Sequence, residues 1–148
     1  MKRVSIFYLF LLFLFLACKN NSSEKSENNL DAARNFIRAA LDGKFSEARS
    51  FMLTDSVNTN YLDVVERSYQ RIDQATKDGY RTSTIHIHQV NPVNDSTTVV
   101  IYSNSFMNDH DTLKVLKKGD QWLVDLKYLY EHDRDSLQRS PVNNDSLK

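Results

Sequence analysis

The chain has one cysteine, three glycines and two prolines in 148 residues. A lone Cys18 cannot form an intramolecular disulfide, which removes the stapled class of small secreted domains. So few glycines leave no Gly-rich loop to cradle a phosphate. With so few prolines as well, a loop-rich or fibrous chain is disfavoured. A basic excess is missing too, since 19 Lys+Arg stand against 19 Asp+Glu. Nucleic-acid binding needs a clustered positive footprint, so no nucleic-acid partner is expected. No repeat of solenoid length is present.

Charge is nearly absent from the first 17 residues, where Lys2 and Arg3 are the only ionisable side chains besides the amino terminus and Tyr8. Val4 to Ala17 is an almost unbroken run of Leu and Phe. A basic start, a short apolar run and a small residue match a secretory signal peptide. The run is shorter than the roughly 20 apolar residues a spanning helix needs. It closes on Leu14-Phe15-Leu16-Ala17-Cys18, which resembles a bacterial lipoprotein signal. Phe15 departs from that pattern, which usually has Leu there. The resemblance implies cleavage after Ala17, acyl chains on Cys18 and a partner in the lipid bilayer. Two membrane signals already suffice for stable anchoring. By the same analogy, Lys19 and the polar stretch after it point to the cell envelope, at the outer membrane.

Residues 18–29 carry KNNSSEKSENN after the cysteine, with no apolar side chain to bury. Such a stretch cannot offset its ordering entropy and is expected to be a flexible tether. Without Lys2 and Arg3, 17 basic residues face 19 acidic ones. The length from Leu30 to Tyr130 suits a single domain. Glu131 to Lys148 is polar again and is expected to be a disordered tail.

Leu30, Ala33, Phe36, Ile37, Ala40 and Leu41 recur at helical spacing. Asn28 or Asn29 is placed to cap this helix, and Gly43 to stop it. Phe45, Ala48, Phe51 and Met52 mark a second helix, folded back through Asp42-Gly43. Thr54 to Asn60 reads as a polar loop with capping residues. Tyr61, Leu62, Val65, Tyr69 and Ile72 mark one face of a third helix, which Asp78-Gly79 is expected to end.

The period then changes from 3.6 to 2. Thr82 to Val90 alternates, with Ile85 and Ile87 on one face and His86 and His88 on the other. Asn91 to Asp95 is turn chemistry. Thr97 to Phe106 is apolar on both faces, which predicts a central strand. Thr112 to Lys117 and Gln121 to Tyr130 predict a hairpin about Gly119-Asp120. Its register sets Lys118 opposite Gln121, Val115 opposite Val124, Lys114 opposite Asp125 and Leu113 opposite Leu126. Trp122 falls on the core face. The fold class expected is α+β, three N-terminal helices packed on a four-stranded antiparallel sheet.

The stretch AARNFIRAALDGKFSEARSFM, the strand-turn-strand and the closing LKVLKKGDQWLVDL resemble the nuclear-transport-factor-two/ketosteroid-isomerase-like superfamily. They are most similar to its branch of small bacterial lipoproteins of unknown function. The resemblance covers about Leu30 to Tyr130 and implies a curved, cone-like sheet with a pocket at its open end. Its motifs are structural, and one fold hosts many functions.

Five residues are candidates for lining that pocket: Tyr61, Tyr69, His86, His88 and Tyr102. Buried tyrosines commonly keep a partnered hydroxyl, so the tyrosines equally suit core positions with wet tips. His86-x-His88 has half the ligands a zinc site needs. His110, His132 and the carboxylates lack diagnostic spacing, so no metal and no cofactor are expected. Asp125 is expected to form a surface ion pair with Lys114. No position matches the carboxylate base and tyrosine oxyanion hole of ketosteroid isomerases. The expected function is therefore a membrane-tethered, non-catalytic binding or assembly module, taking a small apolar ligand or an envelope protein. The alternative is a small isomerase- or hydrolase-like enzyme. Convergent His, Tyr and carboxylate groups in a wet pocket would favour the enzyme.

Overall fold

The computed structural model describes Ser26 and residues 28–128. The stretch read as a signal peptide, Cys18, most of the stretch read as a tether and the polar C-terminal stretch lie outside the described residues. Ser26, in the stretch read as tether, is buried at 6 % exposure.

The fold is α+β, with helices α1 (Asn29–Leu41), α2 (Phe45–Ser50), α3 (Ser56–Arg71) and α4 (Gln74–Thr82) preceding strands β1 (Ile85–Asn94), β2 (Thr97–Asn104), β3 (Asp111–Lys118) and β4 (Gln121–Asp125). The strands form one open antiparallel sheet in the order β1-β2-β3-β4.

The side chain of Asn28 caps α1 by accepting from the Asp31 N–H at 2.9 Å. Ala32, Ala33, Phe36, Ile37 and Ala39 are its buried face. Gly43, at φ +75°, turns the chain into α2. Only a residue at ease in the left-handed region ends a helix this way. A Cβ there would also lie 2.6 Å from the Tyr69 ring. The core joins this helix pair to Leu62 and to Val100, Leu113, Val115 and Val124 of the sheet.

Among the described residues, four helices form where the sequence predicts three. The third helix ends at Arg71, and Ile72 is extended. Asp73 then caps a new helix, its carboxylate accepting from the Thr76 N–H at 2.9 Å. Gly79, expected to end a helix, lies inside α4, where a Cβ would stand 2.4 Å from the Phe106 ring. It is a packing notch.

The sheet differs from expectation at three places. β1 starts later, at Ile85, and runs through Pro92 to Asn94, so the turn is only Asp95-Ser96. Pro92 is tolerated because β1 is an edge strand beside a register shift. β2 stops at Asn104 instead of reaching Phe106. β4 stops at Asp125 instead of reaching Tyr130. There the ladder loses its donors, because the Leu126 N–H goes to Asn58 Oδ1 at 2.7 Å and the Lys127 N–H to Asp125 Oδ1 at 3.3 Å. Leu126 is buried but does not extend the strand opposite Leu113. The rest of the hairpin register is as predicted, Lys118 with Gln121, Val115 with Val124 and Lys114 with Asp125. Trp122 is only partly buried against the core, with Lys117 Nζ 5.9 Å from its ring centroid.

Candidate functional site

A cleft of about 420 Å³ opens between α1, α3, α4, the end of β2 and the turn that follows it. Phe36, Ile37, Ala40 and Leu41 of α1 form one wall, and Val65, Ser68, Tyr69 and Ile72 of α3 form another. Tyr80 comes from α4, and Tyr102 and Asn104 from β2. Met107, Asp109 and Asp111 complete the lining.

Local chemistry positions each wall. Arg38 on α1 clamps the end of α4, donating from Nη1 to the Ser83 carbonyl at 2.8 Å and from Nη2 to the Tyr80 carbonyl at 3.0 Å. Its Nε donates to Asp42 Oδ1 at 2.9 Å. A guanidinium satisfies the last carbonyls of a helix and suits the negative end of its dipole. The turn after β2 is built by Asn104, whose buried Oδ1 accepts from the Phe106 N–H at 3.2 Å and the Met107 N–H at 2.9 Å. Asn108, at φ 59°, completes the reversal.

Four aromatic rings run in series, and two of them, Tyr69 and Tyr80, line the cleft. Phe45 meets Tyr69 edge-on at 5.5 Å, Tyr69 lies 6.4 Å from Tyr80, and Tyr80 meets Phe106 edge-on at 5.1 Å. Phe106 is 44 % exposed. Gly43 and Gly79 make room for Tyr69 and Phe106 respectively.

Of the five candidates from sequence, Tyr69 and Tyr102 line the cleft. Tyr61 packs on the core beside it. His86 and His88 lie on the other sheet face. Ser103 alternates with the cleft-lining Tyr102 and Asn104, so it points away from the cleft. His88 Nε2 is 2.8 Å from Ser103 Oγ, and the His88 ring stacks on His110 at 4.1 Å. Among the described residues, no group of three or more His, Cys, Asp or Glu comes together.

Asp125 is the clearest departure. The expected surface ion pair with Lys114 does form, at 3.3 Å, but Asp125 is 3 % exposed. Lys127 Nζ is 3.6 Å away, and Asn58 Nδ2 donates to its Oδ1 at 3.3 Å. Asn58 is 0 % exposed and also donates to Asp55 Oδ2 at 2.7 Å. The Asn58 N–H, the Lys127 ammonium and the Asn58 side chain hold the Asp55 carboxyl well below the usual carboxylate range. The hydrogen bond with Asp55 in turn raises Lys127. Asp73 is lowered by the N–H and hydroxyl of Thr76. Each of these groups serves a helix cap or an ion pair, and none lines the cleft.

Sequence reasoning missed Tyr80, Met107 and Asp109. They join the cleft because Arg38 draws α4 onto α1 across more than 40 residues of chain, and because Asn104 makes a local asparagine turn where the sequence reads as continuing strand. No family model, curated protein or solved structure matches the chain. No helix among the described residues is long and apolar enough to cross a membrane.

Proposed function

We propose that this protein is a lipid-anchored binding module of the bacterial cell envelope, held to the outer membrane by acylated Cys18 and working through the cleft. The cleft carries the reading, with its apolar and aromatic walls and a few polar groups at one side, the usual make-up of a small-molecule site. The groups whose protonation the fold displaces, Asp55, Asp73, Arg49 and Lys127, lie outside it. His86 and His88 lie on the opposite sheet face, so the convergence of His, Tyr and carboxylate that would favour an enzyme is not assembled around this cleft. Membership of the nuclear-transport-factor-two-like superfamily belongs to the same proposal, with the cleft as the open end of a cone.

The test is native mass spectrometry of the full chain, wild type against Ala40→Phe. Ala40 lines the cleft, and a benzyl group there projects into it and narrows it. The wild type should carry a small-molecule adduct that the variant loses while melting at the same temperature. An adduct kept by Ala40→Phe would place binding elsewhere. The anchor is tested alongside by Cys18→Ser, which should leave the detergent phase; retention with membranes would remove the lipid from the reading.

A further inference from the structure

The charged residues that line the cleft have one sign. Among its lining residues, Asp109 and Asp111 are acidic and none is basic. Three tyrosines, Tyr69, Tyr80 and Tyr102, share that lining. Tyrosine faces carry a negative quadrupole that attracts cations within about 6 Å of the ring centroid. The fold already uses this property at one of them, since Lys77 Nζ stands 5.9 Å from the centroid of Tyr69. Lys77 itself donates to the Gln70 carbonyl at 3.2 Å and does not line the cleft. Arg38 is consumed by Asp42, Ser83 and Tyr80, and Arg81 is engaged by the Asp42 carbonyl at 3.4 Å and by Asp78 at 3.6 Å; neither lines the cleft. Tyr102 and Asp111 are both engaged within the fold, so the ligand-facing charge rests chiefly on exposed Asp109.

We infer that the ligand of this cleft is an amphiphilic organic cation, an apolar chain or ring bearing a protonated or quaternary amine. The inference rests on the binding reading above and adds its charge. The apolar body lies against Phe36, Ile37 and Val65. The ammonium sits toward Tyr80, Tyr102 and Asp109. A carboxylate or phosphate head would instead meet the Asp109 carboxylate and, among the lining residues, no compensating donor of opposite charge. Like-charge juxtaposition excludes wrong partners more strongly than it favours right ones.

The test uses the full chain in zwitterionic lipid nanodiscs with ¹³C-methyl methionine. Met107 lines the cleft and reports on it, while Met52 is buried in the core and serves as the control. Octyltrimethylammonium, 1-octanol and octanoate are titrated at free concentrations fixed by dialysis. The Met107 methyl should saturate with the ammonium about tenfold more tightly than with octanol. Octanoate should be weaker than octanol, and Met52 should stay still. Asp109→Asn should narrow the ammonium's advantage over octanol by about threefold, the size of a solvent-exposed charge pair. Octanol or octanoate binding as tightly as the ammonium would overturn the inference and leave the binding reading standing. An unchanged preference in Asp109→Asn would overturn it as well. No Met107 response to any of the three probes would sink the binding reading itself.

Discussion

The two ends of the helix layer solve opposite problems. At one end, α2 and the start of α3 meet β4, and the chain crosses itself closely. The Leu53 N–H donates to the Val124 carbonyl at 2.9 Å, and the Val124 N–H donates back to the Phe51 carbonyl at 2.8 Å. Asn58, Asp125, Asp55, Lys114 and Lys127 form one connected set there, with each buried polar atom partnered. At the other end, α4 and the turn after β2 meet through rings, and large apolar side chains such as Phe106 and Met107 stay half in water. A buried polar set admits one arrangement, because any member left unpaired costs its full desolvation. Ring contacts tolerate several, because dispersion and edge-to-face contact are shallow and broad. The first end fixes the fold; the second has surface left over for a ligand.

The comparison breaks most visibly at Asn58. Asn58→Leu keeps the branching and the number of side-chain heavy atoms but strands the Leu126 N–H and removes a donor from Asp125 and from Asp55. Urea unfolding should show a loss of about 3 kcal/mol, as expected when a buried charge loses a partner. A loss below about 1 kcal/mol, the net worth of an ordinary hydrogen bond, would mean that the polar end is no more exacting than the aromatic one.

At the aromatic end, Gly79→Ala is informative through its sign. Alanine gains about 1 kcal/mol of helix propensity over glycine, which displacement of Phe106 should offset. In a Phe106→Ala background the same change should stabilise by about that full amount. Equal effects in both backgrounds, read by a double-mutant cycle, would show that Gly79 is not a notch for Phe106.

The smallest effect is a pH slope. Asp55 has a lower pKa folded than unfolded, so its contribution is complete above the unfolded value of about 3.9 and is lost as pH falls through that region. Asparagine also caps helices, so Asp55→Asn should leave the cap and flatten the acid limb of the stability profile below about pH 5. An acid limb as steep as in wild type would assign the loss to other carboxylates.

How much of this was legible in the sequence follows from how local each feature is. The closing hairpin register was readable because Gly119-Asp120 sets it and Val115, Val124, Lys114 and Asp125 agree with it. The fourth helix is legible in part, since Asp73 three residues before Thr76 is a capping pattern, while Asp78-Gly79 reads as a stop. Asn58 looked like loop chemistry because its partner, the Leu126 N–H, is 68 residues away. Tyr69 and Tyr102 were singled out from sequence for their polar tips, whereas Tyr80 and Asp109 enter the cleft only through Arg38 and Asn104. The histidines were set on the correct strand, yet the register shift between Ile87 and Gln89 has no signature in side-chain alternation.

That same irregular strand governs how copies of the protein would meet. Residues 51–53 close the β4 side of the sheet, so among the described residues β1 is the edge left open. Its ladder is interrupted twice, between Ile87 and Gln89 and between Pro92 and Asn94, and Pro92 has no N–H to offer. An unbroken edge would zip neighbouring sheets together. A second β1 laid against this one would find short, misaligned runs of donors, which keeps copies of this domain from annealing into a continuous sheet.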